Sequence, residues 1–127
     1  MEYDEHTPTP LIVPVACPVD NRPEGAHRLS GELKIKMNPD SLAFRIYQKT
    51  EIEEEHSCNN ELNPEFQEMF EKGGLRIVGV GDRGEARIVE LIDHPFFLAT
   101  LFQPQLSSKE GSPHPLITAY LEAVLNF

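Results

Sequence analysis

Residues 94–105 read His-Pro-Phe-Phe-Leu-Ala-Thr-Leu-Phe-Gln-Pro-Gln. Phe96 to Phe102 is apolar on both faces of an extended chain, which predicts a central strand covered on both sides. This strand would end in a short polar loop that contains Gln103 and Gln105. In α/β proteins, such strand ends present functional side chains. The stretch therefore predicts an α/β fold with a candidate site at these two glutamines.

The segments before this stretch predict further strands. Residues 31–37 alternate strictly between apolar and polar side chains, as a strand with one buried face does. Residues 75–80 and 85–91 flank a Gly81–Gly84 turn and form a predicted hairpin. Two weaker strands are predicted at residues 11–16, with Pro14 at an edge or a strand end, and at 51–58, as an exposed charged arm.

Helices are predicted from their start and stop signals. Residues 38–41 and the Asn63-Pro64-Glu65 triplet carry helix-start chemistry, and Gly73-Gly74 ends the second helix. A C-terminal helix is predicted within residues 113–126, and its inward side chains would be Leu116, Tyr120, Ala123, Val124 and Phe127. The order of elements indicates a mixed, partly parallel sheet with flanking helices. The 127 residues form one predicted domain, with a loop-rich segment at 1–30.

The composition narrows the classes of function. A net charge of −10 repels phosphate backbones and anionic lipid, so neither nucleic acid nor a membrane is an expected partner. No apolar run is long enough to span a bilayer, and the first residues lack a signal-peptide pattern. These features favour a soluble cytoplasmic protein, in which Cys17 and Cys58 would be free thiols.

The Phe102-Gln103-Pro104-Gln105 motif resembles a Phe-His-Pro-Glu motif in a known family. That motif closes the glutaminase domain of CTP synthases, which are class I (triad) glutamine amidotransferases. The preceding His94-Pro95-Phe96-Phe97 is similar to the family's His-Pro-aromatic run. The resemblance covers residues 31–127 and implies a flavodoxin-like half domain, the C-terminal half of the amidotransferase domain.

A second segment, residues 54–63, is similar to the family's Glu-Arg-His-Arg-His-Arg-Tyr-Glu-Val-Asn run near the glutamine pocket. The family's arginines, one of which contacts the α-carboxylate of the substrate, are absent here. The matching positions are Glu54, His56, Glu61 and Asn63. The resemblance makes the following residues candidates for a ligand pocket: His56, Cys58, Asn59, Asn60 and Glu61.

The resemblance places glutamines at both triad positions that this stretch should hold. Gln103 stands at the histidine position, and an amide cannot take up a proton near neutral pH. Gln105 stands at the acid position and cannot stabilise an imidazolium by charge. The family's Gly-x-Cys-x-Gly elbow is not found in the 127 residues and would lie upstream. We therefore expect a degenerate triad, no hydrolysis of glutamine by this chain alone and no cofactor, because the family's nucleotides belong to a separate synthetase domain.

Simpler interpretations exist for several side chains. Gln103 and Gln105 could serve only as strand-end residues that hydrogen-bond a loop. His56 and Cys58 could pair on one face of a strand, but the neighbouring acids would raise the pKa of the thiol, which favours an inert cysteine. The acids at 53–55 alternate between faces, so no metal site is expected. The remaining candidates receive no functional role: His6, His114 and Cys17, the last as a small core residue.

Two other functions compete with the amidotransferase interpretation. The chain could be an acidic interaction module that oligomerises and binds no small ligand. It could also regain amidase-type activity if an upstream cysteine elbow were joined to it, with His56 as an alternative base. The expected partners are accordingly a second copy or an upstream half of the domain, with a small amide such as glutamine as a possible ligand.

Overall fold

Alternating and helix-capping residues divide the chain into short strands and helices. The computed structural model describes residues 6–15, 30–58 and 60–126. In that part of the chain the strands are β1 (Ile12–Pro14), β2 (Ser30–Met37), β3 (Glu51–Ser57), β4 (Asn60–Leu62), β5 (Leu75–Val80), β6 (Ala86–Leu91) and β7 (Leu98–Thr100). The α-helices are α1 (Leu42–Tyr47), α2 (Gln67–Lys72) and α3 (Pro115–Leu125).

The strands form two sheets. Five of them pair in the order β3-β2-β5-β6-β7, and β1 pairs with β4 in a separate two-stranded sheet. The combination of this sheet with flanking helices confirms the predicted α/β class. Every strand pair in the described ranges is antiparallel. The predicted parallel component is therefore not found in this part of the chain.

The predicted caps are confirmed at two helix starts. Ser41 precedes α1, and its hydroxyl accepts a hydrogen bond from the Phe44 N–H at 2.9 Å. Asn63 accepts from the Glu65 N–H at 3.1 Å and caps a 3₁₀ turn, Pro64–Phe66, that leads into α2. Gly74, with φ of +89°, follows α2 in a conformation that side chains other than glycine rarely adopt.

One face of the five-stranded sheet carries the core. Ile35 and Ile88 are completely buried there, and Ala43 of α1 and Leu116 of α3 cover them. Lys34 and Lys36 are exposed between the buried positions of β2, which confirms the alternation predicted for residues 31–37. The β5–β6 hairpin is also confirmed. Gly79 allows its close packing, because a Cβ there would lie 2.7 Å from Ile88 Cγ1.

The prediction of a central, doubly covered strand at Phe96–Phe102 is wrong. Strand β7 has only three residues and pairs with β6 alone among the described strands, so it lies at an edge of the sheet. Phe97 and Ala99 are exposed, whereas Phe102 is buried. The apolar sequence indicated burial on both sides, but the described part of the chain supplies neither a second neighbouring strand nor complete cover.

Two further predictions of burial need correction. The arm at 51–58 is a regular edge strand whose Ile52 and Glu54 are buried, so it is not a purely solvated segment. In α3 only Leu116 is buried, whereas Tyr120 and Val124 are 54% and 55% exposed. The predicted inward residue Phe127 and the predicted loop at 17–29 lie outside the described residues.

Candidate functional site

The end of β3 meets the turn that follows β7. The Gln103 N–H donates to the Glu55 carbonyl oxygen at 3.3 Å, and the Ser57 N–H donates to Gln103 Oε1 at 2.7 Å. These two bonds bring the 103–105 motif next to the segment that holds His56 and Cys58. The sequence predicted the two motifs separately, and the structure joins them at one corner, where the ends of the two edge strands of the five-stranded sheet come together.

The two glutamines at this corner differ in their surroundings. Gln103 is half-buried, and its side-chain oxygen accepts a hydrogen bond from the Ser57 N–H. Gln105 lies in an exposed 3₁₀ turn, Pro104–Leu106. The side-chain amide of Gln103 therefore acts as a hydrogen-bond acceptor for the backbone, while a neutral amide has no proton-transfer role near pH 7. This geometry matches the simpler interpretation of Gln103 as a strand-end residue.

His56 and Cys58 each have a partner of their own. His56 Nδ1 lies 2.8 Å from the carbonyl oxygen of Gly31, so the ring donates from Nδ1 and its neutral form carries the lone pair on Nε2. The Sγ atom of Cys58 accepts from the Asn60 N–H at 3.4 Å. Within the described residues, the hypothetical His56–Cys58 pair is not formed. Asn59, another pocket candidate, lies outside the described residues.

The acid of the candidate pocket belongs to an ion-pair network in which Arg83 is the partly exposed member. Glu61 is 1% exposed, and its Oε2 lies 2.6 Å from Arg83 Nη2 and 3.9 Å from Arg87 Nη2. Arg87 is itself buried and also binds Glu85 Oε1 at 2.8 Å. The network ties β4 to the β5–β6 hairpin. Glu61 thus contributes to the position of β4, which also contains Asn60.

Electrostatics within this network hold Glu85 in its charged form. Burial alone would raise the pKa of the Glu85 carboxyl group. Hydrogen bonds from the Arg87 side chain and from the backbone, together with the nearby guanidinium charge, outweigh burial, so the pKa lies below its ordinary value. The arrangement is a structural charge pair, since the carboxylate has no tendency to take up a proton at neutral pH.

Sequence reasoning missed a second buried cluster. His114 Nε2 lies 2.8 Å from Glu54 Oε1, and the Tyr47 hydroxyl donates to the same oxygen at 2.5 Å. His114 Nδ1 accepts from the Leu116 N–H at 3.2 Å, so the neutral ring carries its proton on Nε2 and donates it to Glu54. Burial and the hydrogen bond to the Glu54 carboxylate raise the pKa of the Tyr47 hydroxyl.

This cluster corrects two predictions. His114 was assigned no role, yet it is 5% exposed and caps α3. Glu54 was interpreted as a solvated acid, yet it is 5% exposed. One signal was available, because His114 directly precedes Pro115 and so occupies the N-cap of a helix with proline at its first position. Through these hydrogen bonds to Glu54, the cluster connects α1 and α3 to β3.

One cleft is lined by residues other than those of the corner at Gln103. It has a volume of about 570 Å³, and its walls include Lys34, Tyr47, Lys49 and Glu51. Of the predicted pocket residues that the structure describes, His56, Cys58, Asn60 and Glu61, none lines it. Among the described residues, no group of three or more His, Cys, Asp or Glu side chains could hold a metal ion. No helix in the same ranges is both long and apolar enough to cross a membrane.

Both the sequence and the fold of this chain are similar to those of known proteins. No family model matches the sequence. CTP synthase from Syntrophus aciditrophicus is 37% identical over 127 residues, which covers 99% of this chain and 24% of that protein. CTP synthase from Archaeoglobus fulgidus is 35% identical over 129 residues, with the same two coverages. The chain therefore spans about a quarter of the length of these relatives.

The solved structures include a similar fold. The glutaminase domain of Trypanosoma brucei CTPS, solved with bound acivicin, superposes with a TM-score of 0.87 at 25% sequence identity. The match covers 98% of this chain and 49% of that chain. Both comparisons agree with the family that the 94–105 and 54–63 motifs indicated. The chain is thus a homologue of CTP synthases, and its fold is that of one half of their glutaminase domain, consistent with the C-terminal half.

Proposed function

We propose that this chain is a glutaminase-like half domain with a degenerate triad, which does not hydrolyse glutamine by itself. The observation that carries the proposal is the bond between Gln103 Oε1 and the Ser57 N–H. A triad needs an imidazole at this corner to accept the proton of a thiol and an acid to orient that imidazole. The side-chain oxygen of Gln103 already accepts a hydrogen bond from the backbone. Gln105 is uncharged and exposed.

The proposed role is binding or assembly within a larger amidotransferase-type unit. A small amide such as glutamine is the proposed ligand, and His56, Cys58, Asn59, Asn60 and Glu61 are the proposed pocket residues. Cys58 is half-buried and no Gly-x-Cys-x-Gly elbow occurs in the 127 residues, so a catalytic cysteine would have to come from another segment. An upstream or partner half is the proposed source of that segment.

One observation favours the second candidate function, an acidic interaction module. Helix α3 exposes the apolar side chains of Leu121 and Leu125, and the chain carries a net charge of −10. Exposed apolar surface of this kind marks protein–protein contacts. Titration with glutamine distinguishes the two functions, since a saturable heat of binding supports the half-domain proposal, whereas none is expected of the interaction module.

The catalytic part of the proposal is tested by ammonia release from glutamine. The purified chain should release no more ammonia than the buffer, and the S. aciditrophicus CTP synthase serves as a positive control. The informative comparison uses the chain together with a cysteine-bearing complementary half. There, wild type should remain inactive, and the Gln103→His/Gln105→Glu variant should gain activity if the triad positions are assigned correctly.

Hydrolysis by wild type would contradict the proposal. The variants then identify the source of the activity. Turnover that persists in Cys58→Ala but disappears in Gln103→Ala would show that Gln103 itself takes part in the chemistry.

A further inference from the structure

Part of the outer edge of β3 carries backbone groups that no described strand uses. Among the described strands β3 pairs with β2 alone, in an unbroken register. The Met37 N–H donates to the Thr50 carbonyl oxygen at 2.8 Å, so the backbone groups of residue 50 point toward β2. Because these groups alternate in direction along an antiparallel strand, those of Glu51 and Glu53 point away from the sheet. Such an edge is a template for an added strand.

The other end of the same edge is already occupied. The Gln103 N–H donates to the Glu55 carbonyl oxygen at 3.3 Å, and Gln103 Oε1 accepts from the Ser57 N–H at 2.7 Å. Residues 55 and 57 therefore point outward, in the same phase as residues 51 and 53. The described chain leaves only a short edge for pairing, at residues 51–53.

A cleft of about 570 Å³ surrounds this short edge. On the core side of the sheet its walls include Tyr47, Ile52 and Pro115. From the opposite, exposed face its walls include Lys34, Glu51 and Glu53. Side chains from both faces of the sheet thus line one cleft, so the backbone edge of β3 lies within it.

A strand in this cleft meets acidic neighbours on one face. Glu51 and Glu53 are exposed, and neither forms an ion pair among the described residues. Directly opposite residues of antiparallel strands lie about 4.5–5.5 Å apart, so basic side chains opposite these two acids are favourable. Lys34 lies one strand further away, about 10 Å from the added strand, where dissolved ions screen its charge. Lys49 also lines the cleft, but it precedes β3.

We propose that residues 51–53 and their cleft bind an extended segment of a partner protein, in which basic and apolar residues alternate, as an added antiparallel strand. Its basic side chains lie opposite Glu51 and Glu53, and the apolar side chain between them packs beside Ile52. Strand β2 offers the same complement on the inner side of β3, where the opposed pairs are Lys34 and Glu53, Ile35 and Ile52, and Lys36 and Glu51. None of these residues is a candidate for the glutamine pocket, so the inference is independent of the half-domain proposal.

A second copy of this chain is a poorer occupant of this edge. Pairing of two β3 edges, with both cores on one side of the joined sheet, sets glutamates of the two copies opposite each other. Like charges in that position are destabilising. Self-association through the exposed apolar side chains of α3 uses another surface and is compatible with the proposal.

Fluorescence anisotropy with a labelled, end-blocked peptide, Val-Lys-Val-Lys-Val, tests the proposal on the full chain. This peptide should bind saturably, and Val-Glu-Val-Glu-Val should bind at least about tenfold more weakly because its acids lie opposite Glu51 and Glu53. N-methylation of both lysine backbone nitrogens removes the N–H groups that point at β3 and should also weaken binding about tenfold. N-methylation of the central valine is the matched control, since that N–H points away from β3, and it should leave the affinity unchanged.

Variants of the chain test the same pairing from the other side. Glu53→Lys should weaken binding of the lysine peptide at least about tenfold and strengthen binding of the glutamate peptide. Glu71→Lys makes the same change in net charge at an exposed position that does not line the cleft, so it should leave both affinities unchanged. Because both positions are exposed, both variants should keep the wild-type melting temperature.

Each alternative has its own outcome. The docking surface is overturned if the lysine peptide does not bind saturably, or if Glu53→Lys and Glu71→Lys weaken it equally, since a general attraction to the acidic chain would then explain the binding. Equal affinities of the two N-methylated peptides overturn strand addition. A homodimer that Glu53→Lys abolishes and Leu121→Glu/Leu125→Glu leaves intact overturns the proposed occupant in favour of a second copy.

Discussion

The side-chain oxygen of Gln103 is already used inside the chain, where it accepts the Ser57 N–H. An acceptor fixed in this way holds the end of β3 against the turn after β7. The sequence motif could indicate that position 103 was special, but not that its partner would be a backbone amide 46 residues away in sequence. Partners of polar side chains depend on the tertiary fold, which a local pattern does not encode.

We expect Gln103→Ala to lower the free energy of unfolding by about 0.5–1.5 kcal/mol, the range for one net hydrogen bond. Gln105→Ala is the matched control, because that side chain is exposed, and its effect should stay within about 0.5 kcal/mol. Urea denaturation of both variants checks this. Equal effects would mean that the Ser57–Gln103 bond contributes nothing to stability.

The charge on Glu85 should make stability depend on pH in the acid range. Its pKa is lower in the folded chain than the ordinary value of 4.5, so the unfolded chain binds more protons in that range. The stability that the Glu85 charge contributes is therefore fully present above pH 4.5, and it is lost as the pH falls through the lowered pKa. Glu85→Gln should flatten this loss in denaturation measured across pH. An unchanged acid slope would show that other carboxylates cause it.

Alternation and capping residues predicted most of the secondary structure. β2, the β5–β6 hairpin and the starts of α1 and α2 lie where their residues indicated. Burial of whole elements was harder to predict. Phe96–Phe102 carries enough apolar residues for two covered faces and α3 for one, and no local pattern states whether the chain itself provides that cover.

The buried cluster of Glu54, His114 and Tyr47 should hold α3 in place. His114→Ala leaves a buried carboxylate oxygen with one donor fewer, which costs about 1–3 kcal/mol. The same change removes the N-cap of α3, which adds about 1 kcal/mol. His94→Ala is the control, since His94 is exposed and should change stability by about 0.5 kcal/mol or less. Thermal melts that rank the two histidines equally would exclude a stabilising role for the cluster.

The different burial of Ile88 in β6 and Leu101 after β7 predicts how much each side chain contributes to stability. Ile88 is completely buried, so Ile88→Ala should cost about 2–5 kcal/mol. The sequence placed Leu101 in the centre of a covered strand, but this residue is half-buried. Leu101→Ala should therefore lower the free energy of unfolding by less than Ile88→Ala does. Denaturant melts of the two variants decide the order. The reverse order would indicate that the Phe96–Phe102 segment is packed more deeply than in this structure.

Apolar surface remains exposed on helix α3 of the folded chain. Leu121 is 55% exposed and Leu125 is 84% exposed, and they lie four residues apart on one helical face. Exposed apolar surface lowers the free energy of association because contact removes it from water.

We therefore expect the isolated chain to self-associate at micromolar concentrations, despite its net charge of −10. Sedimentation velocity over a concentration series should show a rising mean mass, and Leu121→Glu/Leu125→Glu should lower it. Thr50→Glu/Ser112→Glu adds the same charge at exposed polar positions and should reduce association less. A compact monomer at every concentration would show that the exposed face of α3 is too small to drive association. The interaction-module interpretation would then lose the observation that favours it.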